Sequence, residues 1–212
     1  MGAMMINRGV MNGFIYDATM RLIERKLLGK IRRELLSPLR GAIVEVGAGT
    51  GANFPHYESD AHVLALEPDP DMLARALVRA KRSRATIDLR VADDAALDQL
   101  EPESADAVVF PLVLCTIDDP LRALNRARRV IRRNGRVVVL EHIRGQGRVG
   151  TFQDAILPIW RCIGGGCRPN RETERLLQRL GFEVDCLEQR HITDFAPIQD
   201  LLIGYATLSN TR

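Results

Sequence analysis

The stretch VEVGAGTG, residues 44–51, decides the fold of this 212-residue chain. It completes an apolar run, 42–47, that predicts a buried strand, and its three glycines then lead into the start of a helix. Glycines at such a strand-to-helix turn let the backbone approach a ligand closely. The stretch therefore predicts a site for a nucleotide-like ligand at the carboxyl end of a strand.

Two kinds of ligand fit this loop. Gly47, Gly49 and Ala52 match the loose dinucleotide fingerprint with alanine last, so a nicotinamide or flavin cofactor fits the spacing. The alternative is S-adenosylmethionine, which lacks a pyrophosphate and carries positive charge. Glu45 lies inside the strand, two residues before Gly47, where an acid suits a cationic amino acid or orients the loop N–H groups. This acid favours the sulfonium cofactor.

The segments around the loop predict the fold class. Strand patterns at 42–47, 62–67, 86–92, 105–114 and 135–143 alternate with helical patterns at 71–82 and 119–133, the latter stopped by Asn134-Gly135. This alternation is typical of an α/β protein with a doubly wound parallel sheet. An amphipathic helix at 14–36 precedes the core, 40–143. An insertion of helix and loop at 144–175 and two closing strands within 176–212 follow it, in one domain.

Acids follow the second and third strands. Glu67 lies where an acid binds both ribose hydroxyls, a feature shared by both kinds of cofactor. Asp93 is positioned to accept from an adenine amino group, and the backbone N–H of Asp94 to meet a ring nitrogen. The alternative for this pair is an exposed acidic turn that caps a helix.

The motifs EVGAGTG, LALEP, VADDA, AVVFPLVLCTIDDP and RVIRRNGRVVVLEHI together resemble the class I methyltransferases that use S-adenosylmethionine, over about residues 40–145. The resemblance implies a Rossmann-like sheet of seven strands, mostly parallel with the last strand antiparallel, and a lid helix at 14–36. Its cofactor contacts are expected from residues of the loop and the strand ends: Glu45, Gly47, Ala48, Gly49, Thr50, Gly51, Asn53, Glu67, Pro68, Asp93, Asp94 and Leu112. His56 and Tyr57 are expected further out, as surface residues.

A narrower resemblance covers nearly the whole chain. VEVGAGTGANFPHY, PLVLCTIDDP, LEHI, the segment from Trp160 to GGGCRPNRET, and HITDFAPIQDLLIGYA look like the alkyl thiol S-methyltransferases and related bacterial phospholipid or ubiquinone-type methyltransferases. It implies methyl transfer to a small-molecule acceptor, and the first choice of acceptor is the sulfur of a thiol. The alternatives are an amine, such as a phospholipid headgroup, and a non-catalytic partner subunit that only binds the cofactor.

On the acceptor side, His142 is the candidate base, because it ends the fifth strand; a structural histidine is the alternative. Three residues are expected near the substrate: Tyr16 in the lid helix, Trp160 and Arg168. The alternative for Tyr16 is simple packing, and the alternative for Arg168 is that it ties the insertion to the sheet. Cys115 is expected to be a small buried residue and not a nucleophile, because direct methyl transfer needs no enzyme thiolate.

Charge and cysteine usage limit the partners. The net charge of +3 and the lack of aromatic residues among the arginines argue against nucleic acid. Arg122, Arg126, Arg129 and Arg133 are expected on one solvated helix face, while the basic helix at 14–36 allows peripheral contact with an anionic membrane.

Four cysteines without a CxxC pair favour a reducing, cytoplasmic setting. No metal site is expected, since Cys162 and Cys167 lack a histidine pair nearby.

Overall fold

Seven strands form one sheet in the computed structural model, which describes residues 28–192 and 196–209. The sheet order is β3-β2-β1-β4-β5-β7-β6. β1 pairs in parallel with β2 and β4, and the parallel pairing continues to β3 and β5, whereas β7 runs antiparallel to both β5 and β6. The predicted sheet with an antiparallel last strand is confirmed. The strands are β1 Gly41–Val46, β2 Ala61–Leu66, β3 Thr86–Arg90, β4 Ala105–Pro111, β5 Ile131–His142, β6 Phe182–His191 and β7 Asp200–Leu208.

Helices cover both faces of this sheet. Alternate residues of β1 point to opposite sides, so that Ile43 packs in one hydrophobic core and Val44 in the other. The helices are α1 Gly29–Leu36, α2 Pro70–Ala80, α3 Pro120–Val130, α4 Gly147–Ile163 and α5 Thr173–Arg179. Short 3₁₀ helices span Phe54–His56, Asp94–Gln99 and Ala196–Ile198. None of the helices in the described ranges is long and apolar enough to cross a membrane.

Aspartates begin the two helices that follow β2 and β4. The Asp69 side chain accepts from the backbone N–H groups of Asp71 and Met72, and Pro70 occupies the first turn of α2. Asp119 caps α3 in the same way, with Pro120 behind it. Asp69 follows the end of β2 by three residues and Asp119 follows the end of β4 by eight, so each aspartate begins the helix that comes after the carboxyl end of its strand.

The predicted helix at 119–133 is wrong at its end. α3 ends at Val130, and β5 begins at Ile131, whose side chain is buried beside Ala105. Asn134 and Gly135 therefore lie within a strand with an irregular register and do not stop a helix. A Cβ on Gly135 would come within 2.7 Å of the Ile131 side chain, so glycine is the residue that fits this close packing.

The segments at either end of the core also differ from expectation. The predicted strand at 105–114 stops at Pro111, because Leu112 has a left-handed backbone with φ of 59°. Of the predicted lid helix, α1 is the part that falls in the described ranges; residues 14–27, and Tyr16 with them, lie outside. The insertion after β5 consists of α4 and a loop that leads to α5, as predicted.

Candidate functional site

The glycine loop folds tightly over the carboxyl end of β1. The backbone N–H groups of Gly47 and Ala48 both donate to the carbonyl of Leu66, at 2.8 and 3.0 Å. Gly47 has φ of 74°, and a Cβ there would come within 2.4 Å of the Val113 side chain. Gly49 also has positive φ, 57°, but a Cβ there would meet no atom within 4 Å. The first glycine is thus required by packing, whereas the second borders open space.

Glu67 connects this loop to the segment after β2. Its carboxylate accepts from the backbone N–H of Gly49 at 2.8 Å and from that of Asp69 at 2.9 Å. The side chain is largely buried, whereas the following Pro68 is exposed. The structure therefore brings the acid that follows β2 against the glycine loop, and its ribose contact stays a prediction.

A buried polar cluster lies beneath the loop. The Tyr57 hydroxyl donates to one carboxylate oxygen of Glu45 at 2.5 Å, and both residues are fully buried. The Arg32 guanidinium, on α1, donates to the side-chain oxygen of Asn53. Among residues 28–192 and 196–209, the second oxygen of Glu45, Oε1, has no hydrogen-bond partner. A buried acceptor of this kind is suited to a cationic or N–H-bearing ligand group.

Arg32 and Tyr57 were not expected in this site. Tyr57 was expected on the surface, which is wrong, because its ring packs in the core while its hydroxyl reaches Glu45. A signal for Arg32 was present in the sequence. It falls on the same helical stripe as Ile31 and Leu35, the buried face of α1, where an arginine requires a polar partner.

Burial raises the pKa of Glu45 to about 7, against the lowering effects of the Tyr57 hydroxyl and then of the Arg32 guanidinium; the nearby carboxylate of Glu67 raises it further. The ordinary value is 4.5. A carboxyl group whose folded-state pKa is raised stabilises the fold fully below its unfolded pKa. That contribution is lost as the pH rises through the folded value. Glu45 therefore opposes folding increasingly between about pH 4.5 and 7.

Replacing Tyr57 with phenylalanine is expected to destabilise the protein by about 2 kcal/mol at pH 8 and by less at pH 5. The change removes a hydrogen bond to a buried carboxylate, and the loss matters most when that carboxylate is charged. Thermal unfolding of both proteins at the two pH values measures the difference.

Tyr205→Phe is the matched control, because the Tyr205 hydroxyl donates to the neutral carbonyl of Leu35 at 2.7 Å. Its effect should not change between pH 5 and 8. An equal effect of Tyr57→Phe at both pH values would show that Glu45 does not titrate in this range.

The acids after β3 make protein contacts. Asp93 is exposed and caps the 3₁₀ helix 94–99 by accepting from the N–H of Ala95 at 2.9 Å. Asp94 pairs with Arg126 of α3 at 2.5 Å. The capping alternative thus describes the Asp93 side chain, and the adenine contacts of this pair stay a prediction.

The arginines of α3 do not form one solvated face. Arg126 is largely buried between Asp94 and Asp98, and Arg129 donates to the carbonyls of Leu97 and Leu100. Arg133 belongs to β5. The expected stripe is wrong, because two of its members hold the 94–100 segment against α3. Arg79 of α2 has a similar role and donates to the carbonyl of Thr50 at 2.7 Å.

Glu141 organises the turn that follows β4. Its carboxylate accepts from three successive backbone N–H groups, those of Val113, Leu114 and Cys115, at 2.6, 2.7 and 3.1 Å. The side chain is fully buried, and burial raises its pKa to about 8 despite these three contacts. The left-handed backbone of Leu112 changes the direction of the chain in this turn. As a result, Sγ of Cys115 lies beside His142 at the end of β5.

His142, Cys115 and Cys167 converge at the carboxyl end of β5. The His142 Nδ1 atom lies 3.9 Å from Sγ of Cys115 and 3.8 Å from Sγ of Cys167. Both cysteines are buried, and His142 is partly exposed. A hydrogen bond between the two thiols lowers the pKa of Cys167. The same hydrogen bond, together with burial, raises the pKa of Cys115. The base role of His142 stays a prediction, and the two sulfur neighbours were not foreseen.

The insertion loop is tied to the turn after β4. Arg168 donates from its side chain to the carbonyls of Thr116 and Ile117 and pairs with Asp118. Its backbone N–H donates to the carbonyl of Cys115 at 2.7 Å. The contacts of Arg168 therefore match the alternative that it ties the insertion to the rest of the fold. Trp160, on α4 and partly buried, is one of the groups that lower the pKa of Cys167, so it does lie beside the cluster.

Comparisons with known proteins agree on one kind of protein. The family described as methyltransferase domain matches residues 44–139. Thiol S-methyltransferase TMT1B of Homo sapiens is 32% identical over 196 residues, which cover 86% of this chain and 80% of that protein. Phosphatidylethanolamine N-methyltransferase of Cereibacter sphaeroides is 29% identical over 58% of this chain and 62% of that protein. A crystal structure of an S-adenosylmethionine-dependent methyltransferase from Thermotoga maritima shares the fold, with a TM-score of 0.65, 19% identity, and coverage of 92% and 96%.

Proposed function

Because this chain belongs to the class I methyltransferases that use S-adenosylmethionine, we propose that it methylates the sulfur of a small thiol. The cofactor supplies a methyl group on a sulfonium sulfur. The loop residues fit it: Gly49 borders open space, and Oε1 of Glu45, which has no hydrogen-bond partner within 28–192 and 196–209, is a buried acceptor for an ammonium group. Glu67, at the next strand end, is the proposed ribose contact.

The observation that carries the thiol proposal is the chemistry at the end of β5. The polar atoms that converge there are two cysteine sulfurs and the imidazole of His142. The carboxylates on the same segments are already engaged, Glu141 by three backbone N–H groups and Asp118 by Arg168. Two sulfurs and one imidazole are soft surroundings that suit a sulfur acceptor, whereas a hydroxyl acceptor would depend on His142 to remove a proton with a much higher pKa than that of a thiol.

Elementary chemistry favours the same acceptor. A thiol has a pKa of about 8.5, so a fraction of it is ionised near neutral pH, and the thiolate is strongly nucleophilic. The protein then has to position the acceptor in line with the methyl group and exclude water. The similarity to a thiol S-methyltransferase supports this acceptor, and the similarity to an N-methyltransferase makes an amine the second candidate.

The acceptor is tested with compounds that differ in the reacting atom: an alkyl thiol, the alkyl amine with the same carbon skeleton, and a phenol of similar size. Formation of S-adenosylhomocysteine and of the methylated product is followed by mass spectrometry. Turnover of the thiol should exceed that of its amine partner by at least about tenfold, as the difference in available nucleophile implies. Turnover restricted to amines or phenols would refute the proposal.

His142→Ala provides the second arm of this test. His142 is the proposed acceptor-side group, so thiol turnover should fall by roughly 100-fold. Cofactor affinity should stay the same, because the atoms near Nδ1 of His142 are the sulfurs of Cys115 and Cys167, which lie outside the glycine loop. Loss of cofactor affinity with retained thiol turnover would show that His142 acts in cofactor binding and not beside the acceptor.

A further inference from the structure

We infer that Cys115, His142 and Cys167 form a binding site for one soft divalent metal ion, with zinc the preferred ion and an open fourth position facing the acceptor. The ion-binding part rests on the geometry of the three side chains. The role of the open position rests on the proposed thiol methylation.

The spacing of the donor atoms fits a tetrahedral ion. The two sulfurs and Nδ1 all lie within 4.8 Å of one another, with 3.9 and 3.8 Å between Nδ1 and the sulfurs. Zinc bound at ordinary Zn–S and Zn–N lengths holds sulfur and nitrogen about 3.6 Å apart. The two sulfur–nitrogen distances therefore need to contract by only a few tenths of an ångström to bind the ion, while the two sulfurs, within 4.8 Å of each other, come to about 3.8 Å.

The donor types select a soft ion. Two sulfurs and one imidazole nitrogen favour zinc over magnesium or calcium, which require oxygen ligands. Three protein ligands are also what catalytic zinc sites provide, with the fourth position left for a water or a substrate. The cysteines are 1% and 6% exposed, whereas His142 is partly exposed, so the cluster is open on the histidine side.

The three ligands are held together by contacts around them. The Arg168 backbone N–H donates to the carbonyl of Cys115, which joins the segments of the two cysteines directly. Arg171 donates to the carbonyl of Ile117 at 2.7 Å, and Glu141 accepts from the N–H of Cys115. A buried cysteine that merely fills space needs no such framework. Supporting contacts of this kind are typical of metal sites, where they orient the ligands.

The open position gives the acceptor a way to lose its proton. A thiol that binds the ion through sulfur releases its proton to solvent, and the bound thiolate keeps its lone pairs for attack. The thiolate sulfur forms a bond to the methyl carbon while the bond from that carbon to the sulfonium sulfur breaks, and S-adenosylhomocysteine leaves neutral. The ion is neither oxidised nor reduced. In this arrangement His142 acts as a ligand and not as a free base.

Metal content and a cobalt spectrum test the site without any activity measurement. The full chain, purified without chelators, should contain about one zinc ion per molecule by plasma mass spectrometry. After EDTA treatment and addition of Co²⁺, it should show the intense thiolate-to-cobalt charge-transfer band of a tetrahedral thiolate site. Absence of both zinc and this band in the wild-type protein overturns the inference.

Substitutions identify the ligands. Cys115→Ser, Cys167→Ser and His142→Ala should each weaken metal binding by at least about 100-fold. Cys162→Ser and Cys186→Ser are the matched controls, because both cysteines are exposed and lie outside the cluster. They should keep the metal. Equal metal binding by the cluster variants overturns the assignment, and the cobalt spectrum of the wild type still decides if a variant fails to fold.

The two proposals fail in different ways. If the protein binds the ion but methylates only amines, the metal site stands and the acceptor proposal fails. If metal-free protein methylates thiols at an undiminished rate, the thiol function stands, the role of the ion at the open position is overturned, and His142 is left as the base.

Discussion

Replacing Glu67 with alanine is expected to weaken S-adenosylmethionine binding by roughly 100-fold or more. The carboxylate accepts from the backbone N–H groups of Gly49 and Asp69, and it is the proposed partner of the ribose hydroxyls. Hydrogen bonds to charged groups contribute about 1.5–3 kcal/mol each, and about 1.4 kcal/mol corresponds to a tenfold change in affinity. Loss of two such bonds therefore accounts for the expected change. Isothermal titration with the cofactor and with S-adenosylhomocysteine measures it.

Two variants control this experiment. Glu67→Gln keeps the size of the side chain and some hydrogen bonding, so its loss of affinity should be smaller. Glu101→Ala removes an exposed acid far along the chain from the loop and should bind the cofactor normally. Thermal unfolding without cofactor shows whether each variant is folded. Unchanged affinity of folded Glu67→Ala would exclude the ribose contact.

Gly47→Ala is expected to destabilise the protein by about 3 kcal/mol, and thus to lower Tm by about 6–12 °C. The left-handed backbone at φ of 74° disfavours any side chain, and the added Cβ would lie 2.4 Å from the Val113 side chain. The strain would be transmitted to the turn after β4, because Val113 belongs to that turn. Calorimetric or fluorescence unfolding of the variant without cofactor measures the loss.

Gly49→Ala is the matched comparison. It has a similar backbone, with φ of 57°, but the new Cβ would meet no protein atom within 4 Å. Its stability loss should be limited to about 1–2 kcal/mol, the cost of the left-handed conformation. Cofactor affinity should fall more than stability, because the added methyl enters the open space beside the loop. Equal stability losses in both variants, or normal cofactor binding by Gly49→Ala, would contradict these assignments.

Sequence patterns predicted the fold because its determinants are local and periodic. The β1 strand, the glycine loop and Glu67 follow one another within 30 residues, and the order of strands and helices along the chain leaves few topologies. The end of α3 was missed for a physical reason. Ile131 continues the apolar pattern of the helix, but it pairs with Ala105 in the sheet, a contact that no local pattern contains.

The acceptor side was less predictable, because it is assembled from distant segments. Cys115, His142 and Cys167 come from a turn, a strand end and an insertion loop. The pairing of β4 with β5 and the long-range contacts of Glu141, Arg168 and Arg171 bring them together. Arg168 shows why the sequence left two roles open. A charged residue in a glycine-rich insertion is compatible with substrate binding or with tying of the insertion, and only the folded structure shows that its side chain donates to backbone carbonyls.

The position of β7 also has a consequence for biosynthesis. This strand follows the other six strands of the sheet in sequence, yet it lies between β5 and β6, and Leu201, Leu202 and Ala206 on it are fully buried. While a ribosome is still making residues 200–208, β5 has an open edge and β6 has no neighbour to pair with. The nascent chain can thus form the cofactor half of the sheet early, but the acceptor half closes only after synthesis of the last strand. During that interval the exposed edge of β5 is open to pairing with a strand of another chain.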